Sequence, residues 1–346
     1  MADSAVSVSF DYTYDGQLLT EVLMKPSIDT PAMNTLFMPK TGFKYKQQIP
    51  LVANLSKITK AYSSCARTFT DGIPITNTTL TLKELEVNLE WCKDDFEGAV
   101  GNILSETYLK NGVMEFDPEG TEIQSIIDEL VLDAMRRDNF RLISFGDEND
   151  ADADWNQLNG LWTQLLGEDG QGSSYCVEAP VTDLGTGDLA AGAALAALKS
   201  VTEGAPIILK QYPLQKKYIA VTGSVFENLL GSYEANTNGT ENQFTLLQQG
   251  PTIDGNTPSL KYRGIPVIPI YAWDSALADT TNPLDGNVKH LILYTTRDNH
   301  AVGMDVQADA NSITGWYERK DRKYYIEGFH RLGYTYLHCD LQSIGY

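Results

Sequence analysis

Between Lys44 and Trp91 the chain alternates like one long β-hairpin, yet it carries too few apolar residues to make a core of its own. The legs read as residues 44–60 and 73–91. In the second leg Leu80 and Leu82 alternate with polar residues, the phase slips by one at Lys83-Glu84, and Leu85, Val87, Leu89 and Trp91 then alternate again. A one-residue slip predicts a bulge, because the side-chain period of a strand is two. The tip, Ser63 to Gly72, is small and polar, and Pro50 and Pro74 suit edge positions where no ladder donor is needed. A lone two-stranded ribbon is at best marginally stable in water. This one needs a partner, and a second copy of the same chain is the first candidate. Assembly is therefore weighed before chemistry.

The flanks agree. Residues 1–43 read as an extended arm: Pro26, Pro31 and Pro39 interrupt it, and Met24, Met33, Leu36, Phe37 and Met38 follow no period. Such apolar side chains must lie on something else. After the hairpin, Asp117 (N-cap) and Pro118 (first turn) open a helix predicted over 118–138. Ile123, Ile126, Ile127, Leu130, Val131, Ala134 and Met135 form its apolar stripe. Glu119 and Glu122 sit at its positive end, Arg136 and Arg137 at its negative end.

No Lys or Arg occurs between Arg141 and Lys199, while ten acids fall from Asp147 to Asp188. Asp154 to Gln157 reads as a capping box for a short helix with Leu158, Leu161, Trp162, Leu165 and Leu166, ended by Gly167. Asp188 is expected to cap an Ala-rich helix to about Val201. Lys217 to Val221 reads as a strand, and Ser224 to Glu227 as a capping box for a helix ended by Gly231. Tyr262 to Ile270 and Val288 to Thr295 read as strands, and Trp316 to Tyr346 as β-rich.

A chain of 346 residues, 42% hydrophobic, can fill a large core or two joined ones. Its net charge of -20 argues against base readout in nucleic acid. No signal peptide or membrane-length apolar run is visible. Cys65, Cys92, Cys176 and Cys339 are scattered and read as reduced thiols of a chain made in the cytosol. Asp150, Asp152 and Asp154 invite a calcium loop, but Trp155 and Leu161 stand where such a loop needs Gly and Glu. Gly185 to Ala190 matches a dinucleotide fingerprint only loosely, and Asp188 would face the pyrophosphate. The sequence has no GxSxG, P-loop or HExxH, and His290, His300, His330 and His338 are dispersed. No catalytic, cofactor or metal residue is assigned. The densest basic run is Arg319, Lys320, Arg322 and Lys323, interleaved with Glu318 and Asp321.

In this order of elements the chain resembles the HK97-fold major capsid proteins of tailed bacteriophages. The resemblance rests on the arm (1–43), extended loop (44–91), spine helix (118–138), the Tyr218 to Leu230 strand and helix, the Tyr262 to Ile268 strand and the aromatic-basic Trp316 to Arg331. It implies an α+β fold with an axial domain over 142–285 and a peripheral domain over 92–141 and 286–346. It implies a non-enzymatic virion protein, assembled in the host cytoplasm through hexamers and pentamers into an icosahedral shell. That shell would enclose double-stranded DNA without sequence-specific contacts, with portal and separate scaffold or decoration proteins as partners, and without a membrane. Intersubunit contacts are expected at Lys57, Lys60, Arg67, Phe69, Trp91, Arg319, Lys320, Arg322 and Lys323. Two family features have no counterpart here: a long helical scaffold segment before the loop, and identifiable partners for a Lys–Asn crosslink. An encapsulin-type compartment of the same fold, and an unrelated acidic enzyme or carbohydrate-binding module, are the alternatives.

Overall fold

The computed structural model describes residues 36–52, 75–92, 122–166, 181–238, 247–250, 259–284, 288–304, 313–318, 320–321 and 323–346. In chain order the elements begin with strands β1 (Met38–Lys40), β2 (Lys46–Val52), β3 (Ile75–Thr81) and β4 (Lys83–Cys92). Helices α1 (Glu122–Phe145) and α2 (Leu161–Leu166), strand β5 (Val181–Thr182), and helices α3 (Ala193–Gly204) and α4 (Ile207–Gln211) follow. Then come β6 (Lys217–Val221), α5 (Gly223–Asn238), β7 (Leu247–Gly250), β8 (Ser259–Tyr262), β9 (Ile265–Pro269) and α6 (Tyr271–Leu277). The chain closes with β10 (Ile292–Thr296), β11 (His300–Met304), β12 (Ile313–Glu318), β13 (Lys323–Tyr336) and β14 (Gln342–Gly345). Two compact units result: one from the described parts of 84–136 and 307–330, the other from those of 29–83, 137–306 and 331–346.

The second unit is built on a seven-stranded mixed sheet ordered β5-β14-β10-β6-β9-β8-β7. β6 and β10 lie inside it, and every residue of both is buried. Their near-continuous apolar runs suit strands covered on both faces. Ala194, Ala197, Leu198 and Val201 of α3 and Val225, Phe226 and Leu229 of α5 share one cluster with Ile219, Val221, Val267, Ile292 and Tyr294 of the sheet. A second centre is aromatic: Trp162 meets Trp273 edge to face at 5.2 Å. The indole N–H of Trp273 donates to the Ser144 hydroxyl at 3.0 Å, and that of Trp155 to the Thr281 hydroxyl at 2.9 Å. In the same unit β1 adds in parallel to β11, which pairs antiparallel with the Leu332–Tyr336 part of β13. The first unit holds the Lys323–Gly328 part of β13 paired with β12, along with β4 and the start of α1.

Several expectations need correction. The expected second hairpin leg is two strands: β3 pairs with β2, whereas β4 joins β13 in another sheet. The slip at Lys83-Glu84 marks this change of partner, not a bulge. α1 runs on to Phe145 rather than stopping at 138, because Phe140, Leu142, Ile143 and Phe145 continue the buried stripe past Arg136 and Arg137. Its expected opening at 118–121 lies outside the described residues. Leu130, expected in the stripe, is 47% exposed. Asp154 to Gln157 forms a turn, and α2 begins only at Leu161. Tyr262 to Ile270 is not one strand, since Arg263 and Gly264, both at positive φ, turn β8 back into β9. β10 and β14 are strands of the seven-stranded sheet of the second unit. Cys339 is disulfide-bonded rather than a free thiol, its partner's side chain lying outside the described residues.

α5 likewise continues past Gly231 to Asn238. That exposed glycine has open space where a Cβ would go. Gly231→Ala should therefore raise stability by about 0.5–1 kcal/mol, the cost of a glycine within a helix, measured by denaturant unfolding.

Candidate functional site

The hairpin itself is the first surface to consider. β2 and β3 pair in register from Lys46 opposite Thr81 to Val52 opposite Ile75. They form a two-stranded sheet among the described residues, so both strands are edges. Pro50 sits on one of them, as expected. The ribbon is Thr- and Gln-rich, and Lys46, Gln47, Gln48, Pro50, Asn77 and Thr79 are exposed.

Its root is different. Leu80 and Leu82 are buried. They lie against Gly303 of β11, close to where its Cβ would be, together with Phe43. Gly303 is the register partner of Gly333 on β13, and a Cβ at Gly333 would strike the Thr81 carbonyl. Two facing glycines thus clear a groove in which the hairpin backbone lies directly on the sheet. The Leu82 N–H donates to the Tyr45 carbonyl at 2.7 Å, and the Arg331 guanidinium lies 5.1 Å above the Tyr45 ring. Lys83 pairs with Glu148 at 3.2 Å, but both are exposed and the pair adds little.

A second surface lies in the first unit. Tyr324, Ile326, Gly328 and His330 of β13 are buried, while Glu327 and Phe329 are exposed, so alternate residues face outward. Trp316 of β12 stands opposite Tyr325, and the two rings stack at 5.7 Å. Thr314 and Glu318 flank Trp316 on the same face of β12. Lys323 binds Glu90 at 2.9 Å, which sets Glu90, and by alternation Glu86 and Glu84, on that face. The result is an aromatic pair with Phe329, bordered by carboxylates. Half-buried Tyr325 has its phenol pKa raised, by desolvation and then by the nearby Asp321.

One cluster in the second unit has catalytic residue types. The Ser224 hydroxyl lies 2.9 Å from His290 Nδ1, and His290 Nε2 lies 2.7 Å from the Gly187 carbonyl. A carbonyl only accepts, so Nε2 carries the proton and Nδ1 accepts from Ser224. This is a nucleophile–base pairing, but the nearest backbone donors are taken: Gly223 and Ser224 N–H both donate to the Asp274 carboxylate, at 2.5 and 3.2 Å. Together these bonds act as a staple joining α5, α6, the segment before β10 and the 185–190 loop. Asp274 caps α5, so the expected Ser224–Glu227 box is not what starts that helix. Asp188, expected as a cap, instead pairs with Lys289 at 2.6 Å, and that contact lowers its carboxyl pKa. Asp147, Asp150 and Asp152 each accept a backbone N–H two residues on, at 2.7–2.9 Å, and so build the acidic turns.

Of the expected contact residues, Lys57, Lys60, Arg67, Phe69, Arg319 and Arg322 lie outside the described residues, as does the side chain of Trp91 at the end of β4. Lys320 is exposed in the β12–β13 turn. Lys323 is engaged within its own chain by Glu90. Gly303, Gly333, Trp316 and the β4 carboxylates escaped notice, although a glycine inside a strand pattern is a known sign of close backbone approach. Ile207 and Leu214, at 70% and 55% exposure, are further apolar surface on the second unit. No described helix is long and apolar enough to cross a membrane.

Gly333→Val should cost about 1–3 kcal/mol, as overpacking does, and should loosen the hairpin root, seen as faster amide exchange at Leu80–Leu82. Asp274→Ala should cost about 1–2 kcal/mol through loss of the α5 cap, measured by denaturant unfolding.

No family model matches the chain, and no curated protein matches it in sequence. Solved structures do. A capsid subunit of a native GTA particle superposes with TM-score 0.59 at 12% identity, covering 100% of this chain and 99% of that one. The capsid of the myovirus phage XM1 gives 0.53 at 10% identity, covering 95% of each chain. The capsid of cyanophage P-SCSP1u gives 0.50 at 14% identity, covering 96% of this chain and 93% of that one. The likeness spans the chain end to end and is one of fold: this protein is folded as phage capsid subunits are.

Proposed function

We propose that this chain is a major capsid protein of the HK97 type. Copies assemble through hexamers and pentamers into a closed icosahedral shell around double-stranded DNA, in the host cytoplasm, and remain in the virion. The observation that carries this role is the β2–β3 ribbon: a polar two-stranded element, firmly seated at its root, in a chain whose whole length matches capsid subunits. Portal and scaffold or decoration proteins would complete the particle. Packaged DNA would be held without base contacts, since a shell wall of charge -20 repels phosphate except where cations are gathered.

Charge supports the placing of the ribbon on a neighbour. Residues 44–81 hold five cations (Lys44, Lys46, Lys57, Lys60, Arg67) and one acid, Asp71, within a strongly acidic chain. The outward face of β4, β13 and β12 offers Glu84, Glu86, Glu90, Glu318 and Glu327 around the Trp316–Tyr325 stack. A cationic ribbon from one copy suits that face on the next, and such pairing sets register and partner choice.

Electron microscopy of the expressed protein tests the role, with closed particles as the expected result. Deleting residues 56–75 should leave the second unit folded by circular dichroism and abolish closed shells; normal shells from that variant would show that the ribbon is not an assembly arm. Glu86→Lys with Glu90→Lys should give folded protein whose assembly falls at least tenfold at low salt, followed by light scattering.

A further inference from the structure

The arm segment at Leu36–Lys40 is held from several sides. β1 adds in parallel to β11, with Met38 opposite Ala301. The Tyr218 hydroxyl donates to the Leu36 carbonyl at 2.7 Å, and Arg297 Nε donates to the Phe37 carbonyl at 3.3 Å. Leu36 and Phe37 are fully buried. The Phe37 ring meets His300 and Tyr334 edge-on, at centroid distances of 6.4 and 6.0 Å.

His300 is the hub of this seat, and its proton can be placed. Its Nε2 lies 3.0 Å from the Thr295 hydroxyl, which itself donates to the Leu341 carbonyl at 2.8 Å. A hydroxyl has one proton to give, so Thr295 accepts from His300, and Nε2 carries the hydrogen. Nδ1 is then bare and accepts from the Tyr334 hydroxyl at 2.6 Å. The chain from Tyr334 through His300 and Thr295 to Leu341 runs one way and is satisfied only with a neutral ring. The other titratable or charged groups in this neighbourhood include Tyr218 of β6, Tyr336 of β13 and Arg297 of the turn before β11, together with Asp298 of that turn, whose carboxylate is paired with Lys216 at 3.0 Å.

We propose that this network is a proton-operated latch on the arm: protonation of His300 releases Leu36–Lys40 while the seven-stranded sheet stays folded. A second ring proton would confront the Tyr334 O–H donor to donor and leave a buried cation with Arg297 nearby. Relief requires one wall of the seat to move. Thr295 sits in β10, paired on both sides, whereas β1 is a three-residue strand that, among the described residues, pairs with β11 alone. The arm is the weakest wall.

The sign follows from linkage. Burial holds the His300 pKa down from 6.5 to about 3, so the closed seat binds the proton less well than the open one. Closure is at full strength above pH 6.5 and is lost as pH falls toward 3, with the opening constant rising about tenfold per pH unit. The latch rests on the geometry of the second unit and is independent of the shell role.

Hydrogen exchange on the full chain tests it, with protection at the Met38 and Lys40 amides corrected for intrinsic rates. Between pH 7 and pH 4.5 arm protection should fall about 100-fold while β10 changes far less. His300→Gln, which cannot titrate, should remove that pH dependence. Tyr334→Phe removes the O–H that opposes a proton on Nδ1, so it should shift arm release toward a shallower dependence on pH. If His300→Gln does not fold, the Tyr334→Phe shift decides alone. An unchanged pH dependence in His300→Gln, no shift in Tyr334→Phe, or simultaneous loss of protection in arm and β10 overturns the latch.

Discussion

Gly303 and Gly333 face each other on adjacent strands, and what lies over them depends on the absence of two side chains. Any Cβ at Gly333 would meet the Thr81 backbone. With the groove clear, Leu80 and Leu82 bury against the sheet and fix the root of a ribbon that has no core of its own. A two-stranded ribbon needs both a firm anchor and an external partner. The glycine pair supplies the anchor, and in the proposed shell a neighbouring copy supplies the partner.

The second unit solves a different problem, that of joining many chain segments. Its packed sheet buries apolar surface, but polar side chains decide which segments meet. Asp274 caps α5 from 50 residues away, and His290 links Ser224 to the Gly187 carbonyl. Such links add little net energy when made and cost much when one partner is lost, so they enforce one arrangement over near alternatives. His300 obeys the same rule, with a proton as the removable part. A buried, fully bonded, neutral imidazole gives the arm seat a pH response that apolar packing alone would lack.

Charge is laid out unevenly for identifiable local reasons. In the acidic middle, Asp147, Asp150 and Asp152 serve their own turns by accepting backbone N–H groups two residues on. The carboxylates of β4 lie on a sheet face beside an aromatic stack. The five cations of residues 44–81 are separate in sequence from both acidic stretches. A chain with net charge -20 would resist self-association if that charge were uniform. Segregation leaves opposite signs available to meet between copies.

Much of the architecture was legible in local pattern. The hairpin, the long amphipathic helix, the Lys217–Val221 strand and the β-rich end all follow from side-chain period, which the backbone imposes without reference to distant residues. What the period could not supply was partnership. The phase slip at Lys83-Glu84 was visible, but only the fold shows it as a strand leaving β2 for β13, because hydrogen-bond partners come from far along the chain. Helix ends differ from expectation where burial carries α1 past its arginines and where α5 runs on through Gly231. The glycine groove, the Asp274 cap and the His300 seat each join residues tens to hundreds of positions apart. Sequence alone determined which segments could be strands, helices and turns; tertiary structure decided which of them touch, since contact depends on the path of the whole chain.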